Sequence, residues 1–318
     1  MALSKQQQVV IDSRERSWDA NRIPMSSPEV FGPYLTLVVF LLAAFVAVGR
    51  EFRMARGLDK AYPLGRVALA VPIAVFGADH LSQAQAIMKI VPAWMPFKLF
   101  WTYFVGVALI AAALSFISRV GIRLSATLLG FMFFCFVAMM DLPAVVAVPH
   151  NRIAWALLAR ESAFGAGAIL LAIASGARER TLDENRVAIG ALYVIAVVSM
   201  FYGIEQILHP QCVPAVPLEK VTPLWIPLAH FWTVLTGIAM VIGGGAMFAR
   251  NVSRQLAAAL GAWVVLLVLS LYLAIMISKP DVESLNYFAD TLMFGGVLLV
   301  ASRAYDVPRK SRNSWSPR

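Results

Sequence analysis

The chain has 318 residues, of which 60% are apolar and only 14% are charged, and its mean hydropathy is +0.73. A soluble domain has about half apolar and one quarter charged residues, so the composition excludes a soluble enzyme and a disordered chain. A net charge of +9 would suggest nucleic-acid binding in a soluble protein. Here the basic residues lie in loops between apolar segments, and no nucleic acid is expected as a partner.

Nine apolar segments follow one another along the chain, each long enough to cross a bilayer of about 30 Å. Backbone polar groups must pair internally in a lipid bilayer, and long unbroken apolar runs favour helices over a barrel. The sequence therefore predicts an all-α polytopic membrane protein with nine transmembrane helices. The predicted spans are 31–49, 65–88, 96–117, 122–140, 152–176, 187–208, 224–248, 256–278 and 286–303.

Basic residues alternate between the two sets of loops. Seventeen lie at one set of helix ends, nine lie at the other, and Arg160 lies within a span. The positive-inside rule then predicts a cytoplasmic C-terminus and an outside N-terminus, in the plasma (inner) membrane of a prokaryote. An N-terminus inside would require that one segment, most simply 31–49, does not cross.

An internal repeat organises most of the chain, because residues 91–130 align with 222–261 at a constant offset of 131 without gaps. The preceding helices match at an offset of 126 and the fourth helices at an offset of 129, which pairs Asp79 with Glu205 and Glu161 with Asp290. The predicted domains are a polar tail (1–30), an extra helix with a basic loop (31–63), two parallel four-helix units (64–176 and 187–305) and a basic cytoplasmic tail (306–318).

Short motifs recur in the two predicted units. The first unit has Gly77-Ala78-Asp79-His80, Val91-Pro92-Ala93-Trp94-Met95-Pro96 and Trp101-Thr102-Tyr103 followed by Gly106, and the second has Pro223-Leu224-Trp225-Ile226-Pro227, Trp232 and Gly237. In these motifs, each four-helix unit resembles the DoxX/DoxD-like membrane protein family. An acidic residue present in many members is replaced by Leu109 and Met240. The resemblance implies a membrane oxidoreductase component, such as a subunit of a thiosulfate:quinone oxidoreductase.

Ionisable residues inside spans are costly and are candidate functional residues by default. We expect Asp79, His80, Glu205 and His209 to be catalytic, with the histidines carrying protons and the acids accepting them. Arg160, Glu161 and Asp290 are expected to bind substrate, together with Trp94, Trp101, Trp225 and Trp232 as the wall of an apolar pocket. All four acids fall in the outer half of the predicted membrane.

Structural roles are the alternative for the same residues. The charged side chains would then form an ion-pair network that fixes helix packing, and the tryptophans an aromatic belt at the membrane interface. Arg160 and Glu161 are adjacent and project about 100° apart on a helix, so different partners are expected for them. Two ligands at i, i+4 spacing, such as Glu205 and His209, are too few to indicate a metal, and no metal is predicted.

Three functions fit these observations. The first is a component of a quinone-linked redox system, with an outer polar pocket for protons or a small sulfur anion. Because no haem-ligand pair or flavin motif is evident, its cofactor would be a membrane quinone or its partner a soluble redox subunit. The second is a non-catalytic scaffold for soluble redox partners, and the third is a small-solute transporter.

Overall fold

The structure is a computed structural model, which describes residues 27–176, 181–216, 220–249 and 253–305. The predicted tails, apart from 27–30, and three counted basic residues, Arg178, Arg180 and Arg250, lie outside the described residues. The long helices are α1 (Pro28–Met54), α2 (Ala61–Ser82), α3 (Lys98–Ser118), α4 (Ile122–Ala147), α5 (Arg152–Ala174), α6 (Leu182–Leu208), α7 (Ala229–Ala246), α8 (Arg254–Ser278) and α9 (Val282–Ala304).

Over the described ranges, these nine helices are long and apolar enough to cross a membrane, which confirms the predicted all-α polytopic fold. We call the end where α1 ends and α2 begins the basic end, and the other end the far end. Helix α1 begins at Pro28, where the missing amide proton of proline is harmless. Helix α4 runs seven residues beyond its predicted end at 140, which brings Asp141 into a span.

The repeat is visible in the backbone as well as in the sequence. Helices α4 and α8 each contain one π-helical segment, Val137–Asp141 and Val268–Tyr272, at positions separated by the same offset of 131. Helices α3 and α7 each follow a left-handed residue, Phe97 with φ 53° and Leu228 with φ 56°. These coincidences indicate that the two halves share one local structure.

The fourth helices of the repeat are displaced by one residue from the predicted alignment. Helices α5 and α9 have bounds that differ by 130, and not by the 129 that paired Glu161 with Asp290. The structurally equivalent residue of Asp290 is therefore Arg160. The sequence alignment missed this because the only residues that guided it there were small or acidic, and such residues recur on neighbouring helix positions.

The eight repeated helices form a closed ring in which each helix contacts the next and α9 returns to contact α2. The first helix of each predicted unit thus packs on the last helix of the other, α2 on α9 and α6 on α5, and α5 also contacts α9. Helices α9 and α2 are the most buried, whereas α1 lies outside the ring against α2. The division of these helices into two four-helix units stays a prediction. The contacts between the predicted units are mainly those of α2 with α9, α6 with α5 and α5 with α9.

Glycines allow close contacts between helices within each predicted unit. A Cβ on Gly203 would lie 2.6 Å from the carbonyl oxygen of Gly237, and one on Gly77 would lie 2.9 Å from that of Gly106. The two contacts are equivalent in the repeat and join α6 to α7 and α2 to α3. Small residues let helix backbones approach in a membrane, where no hydrophobic driving force acts between helices.

Candidate functional site

The candidate site is a cluster of charged side chains in the half of the molecule nearest the far end. Arg160 and Asp290 each lie eight residues inside that end of their helix, which corresponds to a depth of about 12 Å at the rise of an α-helix. Asp79 lies three residues from the end of α2 and Asp141 six from the end of α4. Together with Glu161 and Asn286, these residues form what we call the polar cluster.

An ion-pair triad lies at the centre of the cluster. Arg160 Nη1 donates to Asp290 Oδ2 at 2.7 Å, and Arg160 Nη2 donates to Glu161 Oε1 at 3.0 Å. The expectation that Arg160 and Glu161 have different partners is therefore wrong for this pair. The long arginine side chain can bend back along its own helix, so the angle between neighbouring Cα–Cβ bonds does not decide the contact. Since α5 and α9 belong to different units, the triad joins the two halves.

Two further carboxyl groups approach the triad from α2 and α4. Asp79 is buried, accepts a long hydrogen bond of 3.4 Å from Gln83, faces the Asn286 side chain and lies within electrostatic range of Asp290. Asp141, in the π-helical segment of α4, lies within electrostatic range of Glu161 and Arg160. The cluster therefore holds four carboxyl groups and one guanidinium group, and two of the carboxyl groups, Asp290 and Glu161, bind Arg160 directly.

The cluster does not satisfy its own polar atoms. Asp79 Oδ2, Asp141 Oδ2 and Glu161 Oε2 are buried and have no hydrogen-bond partner among the described residues, and the same holds for Arg160 Nε and Asn286 Oδ1. Buried polar atoms are nearly always paired in native proteins, so such exceptions indicate water, a proton or a ligand. Besides Gln83, the Asn286 side chain can donate to Asp79, whereas Asp141 Oδ2 and Glu161 Oε2 receive no hydrogen bond from the described residues.

The second pair of predicted catalytic residues forms a separate site between α5 and α6. Arg152 Nε donates to Glu205 Oε2 at 2.9 Å, and His209 Nε2 lies 3.9 Å from the same oxygen. Nearby, the buried Tyr202 hydroxyl donates to the backbone oxygen of Ala156 at 2.7 Å. Glu205 and Asp79 are thus equivalent in the repeat and have different partners.

The remaining predicted residues contribute little to the cluster. His80 Nδ1 lies 2.7 Å from the backbone oxygen of Phe76 in its own helix. Trp94 and Trp225 are 70% and 56% exposed, and the rings of Trp101 and Trp232 contact aromatic neighbours, Trp232 lying 6.4 Å from Trp263. No hydrogen bond or ring contact of the described residues joins these tryptophans to the polar cluster, and their position is typical of an aromatic belt.

Asp141, Asn286 and Arg152 were missed at the sequence level. Asp141 followed the predicted end of its span, although Leu142, Val145 and Val146 continue the apolar pattern beyond it. Arg152 was counted with the loops, although it lies two helical turns from Arg160 on the same helix face. Within the described ranges, no group of three His, Cys, Asp or Glu residues could hold a metal ion.

Comparison with known proteins returned no match to a family model, to a curated protein or to a solved structure. The resemblance to DoxX-like units therefore stays a prediction from the sequence motifs.

Proposed function

We propose that this integral, multi-pass membrane protein is a component of a quinone-linked redox system, in which the polar cluster takes up and releases protons. The observation that carries the proposal is the imbalance of the cluster, which has four carboxyl groups but one guanidinium group, and three buried carboxyl oxygens without a hydrogen-bond partner among the described residues. We further propose that the cluster faces the outer side of a prokaryotic plasma membrane, as the loop charges predict.

Protons suit this site better than a small sulfur anion. The guanidinium group of Arg160 already binds two carboxyl groups, so it offers little charge to an incoming anion. Buried like charges are costly unless they are compensated, and one arginine compensates only part of four carboxylates. Protons on the unpartnered oxygens would supply both the missing charge and the missing hydrogen-bond donors.

Quinone chemistry needs such a proton site, because a quinone gains two protons when it is reduced to a quinol. The quinone itself is proposed from the resemblance, and the partner that exchanges electrons with it would be a soluble redox subunit. A proton-coupled transporter of small solutes is the second candidate. The two π-helical segments at the level of the cluster are compatible with either candidate, since π-helical turns are frequent at functional sites of helices.

Infrared difference spectroscopy of the full chain in lipid nanodiscs tests proton binding. Stepping the pH should change the carboxyl C=O bands of the wild type, and Asp79→Asn and Asp290→Asn should each remove part of that change. Asp183→Asn is the matched control, because Asp183 is an exposed acid at the basic end whose partner is Arg186. Identical difference spectra for the cluster variants and the wild type would refute the proton site.

A second measurement separates the candidate functions. Binding of a short-chain quinone to the nanodiscs should perturb the same carboxyl bands if the protein is a redox component. Solute uptake into proteoliposomes without any electron donor would favour the transporter instead. A scaffold should still bind its soluble partner when Asp79, Glu205 and Arg160 are neutralised, and a quinone should then leave its spectrum unchanged.

A further inference from the structure

A separate pocket lies at the basic end, where α1 meets the ring. It has a volume of about 430 Å³, and its wall includes Glu51, Tyr62, Arg119, Ser175 and Arg303. The wall therefore combines the ends of α1, α3, α5 and α9 with the start of α2. No residue of the polar cluster lines it, since that cluster lies towards the far end.

A buried arginine lies behind the pocket wall, where it contacts the lining residues Glu51 and Tyr62 without lining the pocket itself. Arg66 is only 1% exposed, and its Nη2 donates to Glu51 Oε2 at 2.6 Å. Its Nε and Nη1 have no partner among the residues that the structure describes. A guanidinium group carries five N–H donors in a planar fork that matches the oxygens of a phosphate or carboxylate. Arg66 thus presents donors that the protein leaves unfilled.

Two more guanidinium groups converge on the same place. Arg119 Nη1 lies 3.6 Å from Glu51 Oε2, and the Arg303 guanidinium carbon lies 4.9 Å from the centre of the Tyr62 ring. Tyr62 also shares a hydrogen bond of 2.9 Å with Ser175. Glu51 compensates one of the three arginines, and the other acid of the wall, Asp59, is paired with Arg254. The pocket is therefore electropositive.

We propose that this pocket binds a phosphate group, supplied by an anionic lipid headgroup or by a soluble phosphate compound. Basic pockets between transmembrane helices are suited to phospholipid headgroups. The lipid source is favoured by α1, whose residues Phe45 and Val46 are exposed to the surroundings while Met54 lines the pocket. An acyl chain can lie along this apolar surface while the headgroup phosphate meets the arginines.

Native mass spectrometry of the full chain released from nanodiscs of phosphatidylglycerol and phosphatidylcholine tests the proposal. The wild type should retain phosphatidylglycerol in preference to phosphatidylcholine. Arg119→Gln and Arg303→Gln should each lower the affinity for phosphatidylglycerol about tenfold. Each variant loses a hydrogen bond to a charged group, and the free energy of such a bond is at least that of a tenfold change in affinity. Arg186→Gln should change nothing, since Arg186 is exposed at the same end and pairs with Asp183.

A second arm identifies the source of the phosphate. Titrating inorganic phosphate into nanodiscs made only of phosphatidylcholine should give no saturable binding if the ligand is a lipid. Saturable binding that Arg119→Gln weakens would identify a soluble phosphate compound as the ligand, within the same proposal. Equal lipid retention by the wild type, Arg119→Gln and Arg303→Gln, with no phosphate binding, would overturn it. Arg119→Gln, Arg303→Gln and the control Arg186→Gln all leave the polar cluster intact, so the result is independent of the redox proposal.

Discussion

Two equivalent helix interfaces of this protein carry different chemistry. Where α6 packs on α5, Glu205 is paired with Arg152, and both side chains are partly exposed. Where α2 packs on α9, the equivalent Asp79 is buried and faces Asn286, with one oxygen unpartnered. The difference shows that one duplicated scaffold can hold an ion pair at one interface and a buried carboxyl group with an unpartnered oxygen at the other.

The central pair of the repeat has diverged in the same way. Arg160 and Asp290 occupy equivalent positions of α5 and α9, carry opposite charges and bind each other. A pair of identical residues could not do so, because like charges would repel. The ion pair therefore makes the two halves of the chain complementary in charge at this contact.

Removing Arg160 should have the largest effect on this arrangement. Arg160→Gln leaves Asp290 and Glu161 without their counter-ion in a mostly buried site, and the free energy of unfolding should fall by about 3–5 kcal/mol. Unfolding with SDS in mixed micelles measures this change. The double variant Arg160→Gln with Asp290→Asn should recover part of the loss, whereas Arg186→Gln, which alters an exposed pair, should stay within about 0.5 kcal/mol of the wild type. Additive effects of the two substitutions would contradict the direct pair.

Neutralising the two equivalent acids should sharpen the contrast between the interfaces. Glu205→Gln should lower the free energy of unfolding by about 1–2 kcal/mol, between the typical values for exposed and buried ion pairs, because Arg152 loses its charged partner. Asp79→Asn should leave stability unchanged or raise it, since no described residue forms an ion pair with Asp79, and an asparagine there still accepts hydrogen bonds from Gln83 and Asn286. The same unfolding assay measures both variants. A larger loss of unfolding free energy for Asp79→Asn than for Glu205→Gln would contradict the contrast between the two interfaces.

Converting one residue of the second half into its equivalent in the first should have the smallest effect. Tyr202 corresponds to Phe76 at the offset of 126, and only Tyr202 carries a hydroxyl group. Tyr202→Phe removes its buried hydrogen bond to Ala156 and should lower the free energy of unfolding by about 1 kcal/mol. Tyr193→Phe, which removes the hydroxyl group of an exposed tyrosine on the same helix, serves as the control. Unchanged stability in Tyr202→Phe would indicate that the hydroxyl group contributes nothing to the α5–α6 interface.

Much of the polar cluster could be anticipated, and its contacts could not. The depth of Asp79, Arg160, Glu161 and Asp290 follows from their distance to the helix ends, because an α-helix rises by a constant amount per residue. The inclusion of Asp141 and Asn286, and the bond between Arg160 and Glu161, depends on helix rotation and side-chain reach. Neither can be read from the hydropathy of a helix that is apolar on all sides.

The sequence by itself determined that the described part of this protein consists of nine helices able to cross a membrane, with an internal repeat. The physical reason is that the bilayer leaves each apolar segment only one way to satisfy its backbone, which is to form a helix. Only the tertiary structure decided that α2 packs on α9 and α6 on α5, and hence which charges meet. Apolar side chains gain nothing by leaving lipid for another helix, so these contacts depend on shape and on small residues such as Gly65 and Gly296, whose fit appears only when the helices are together.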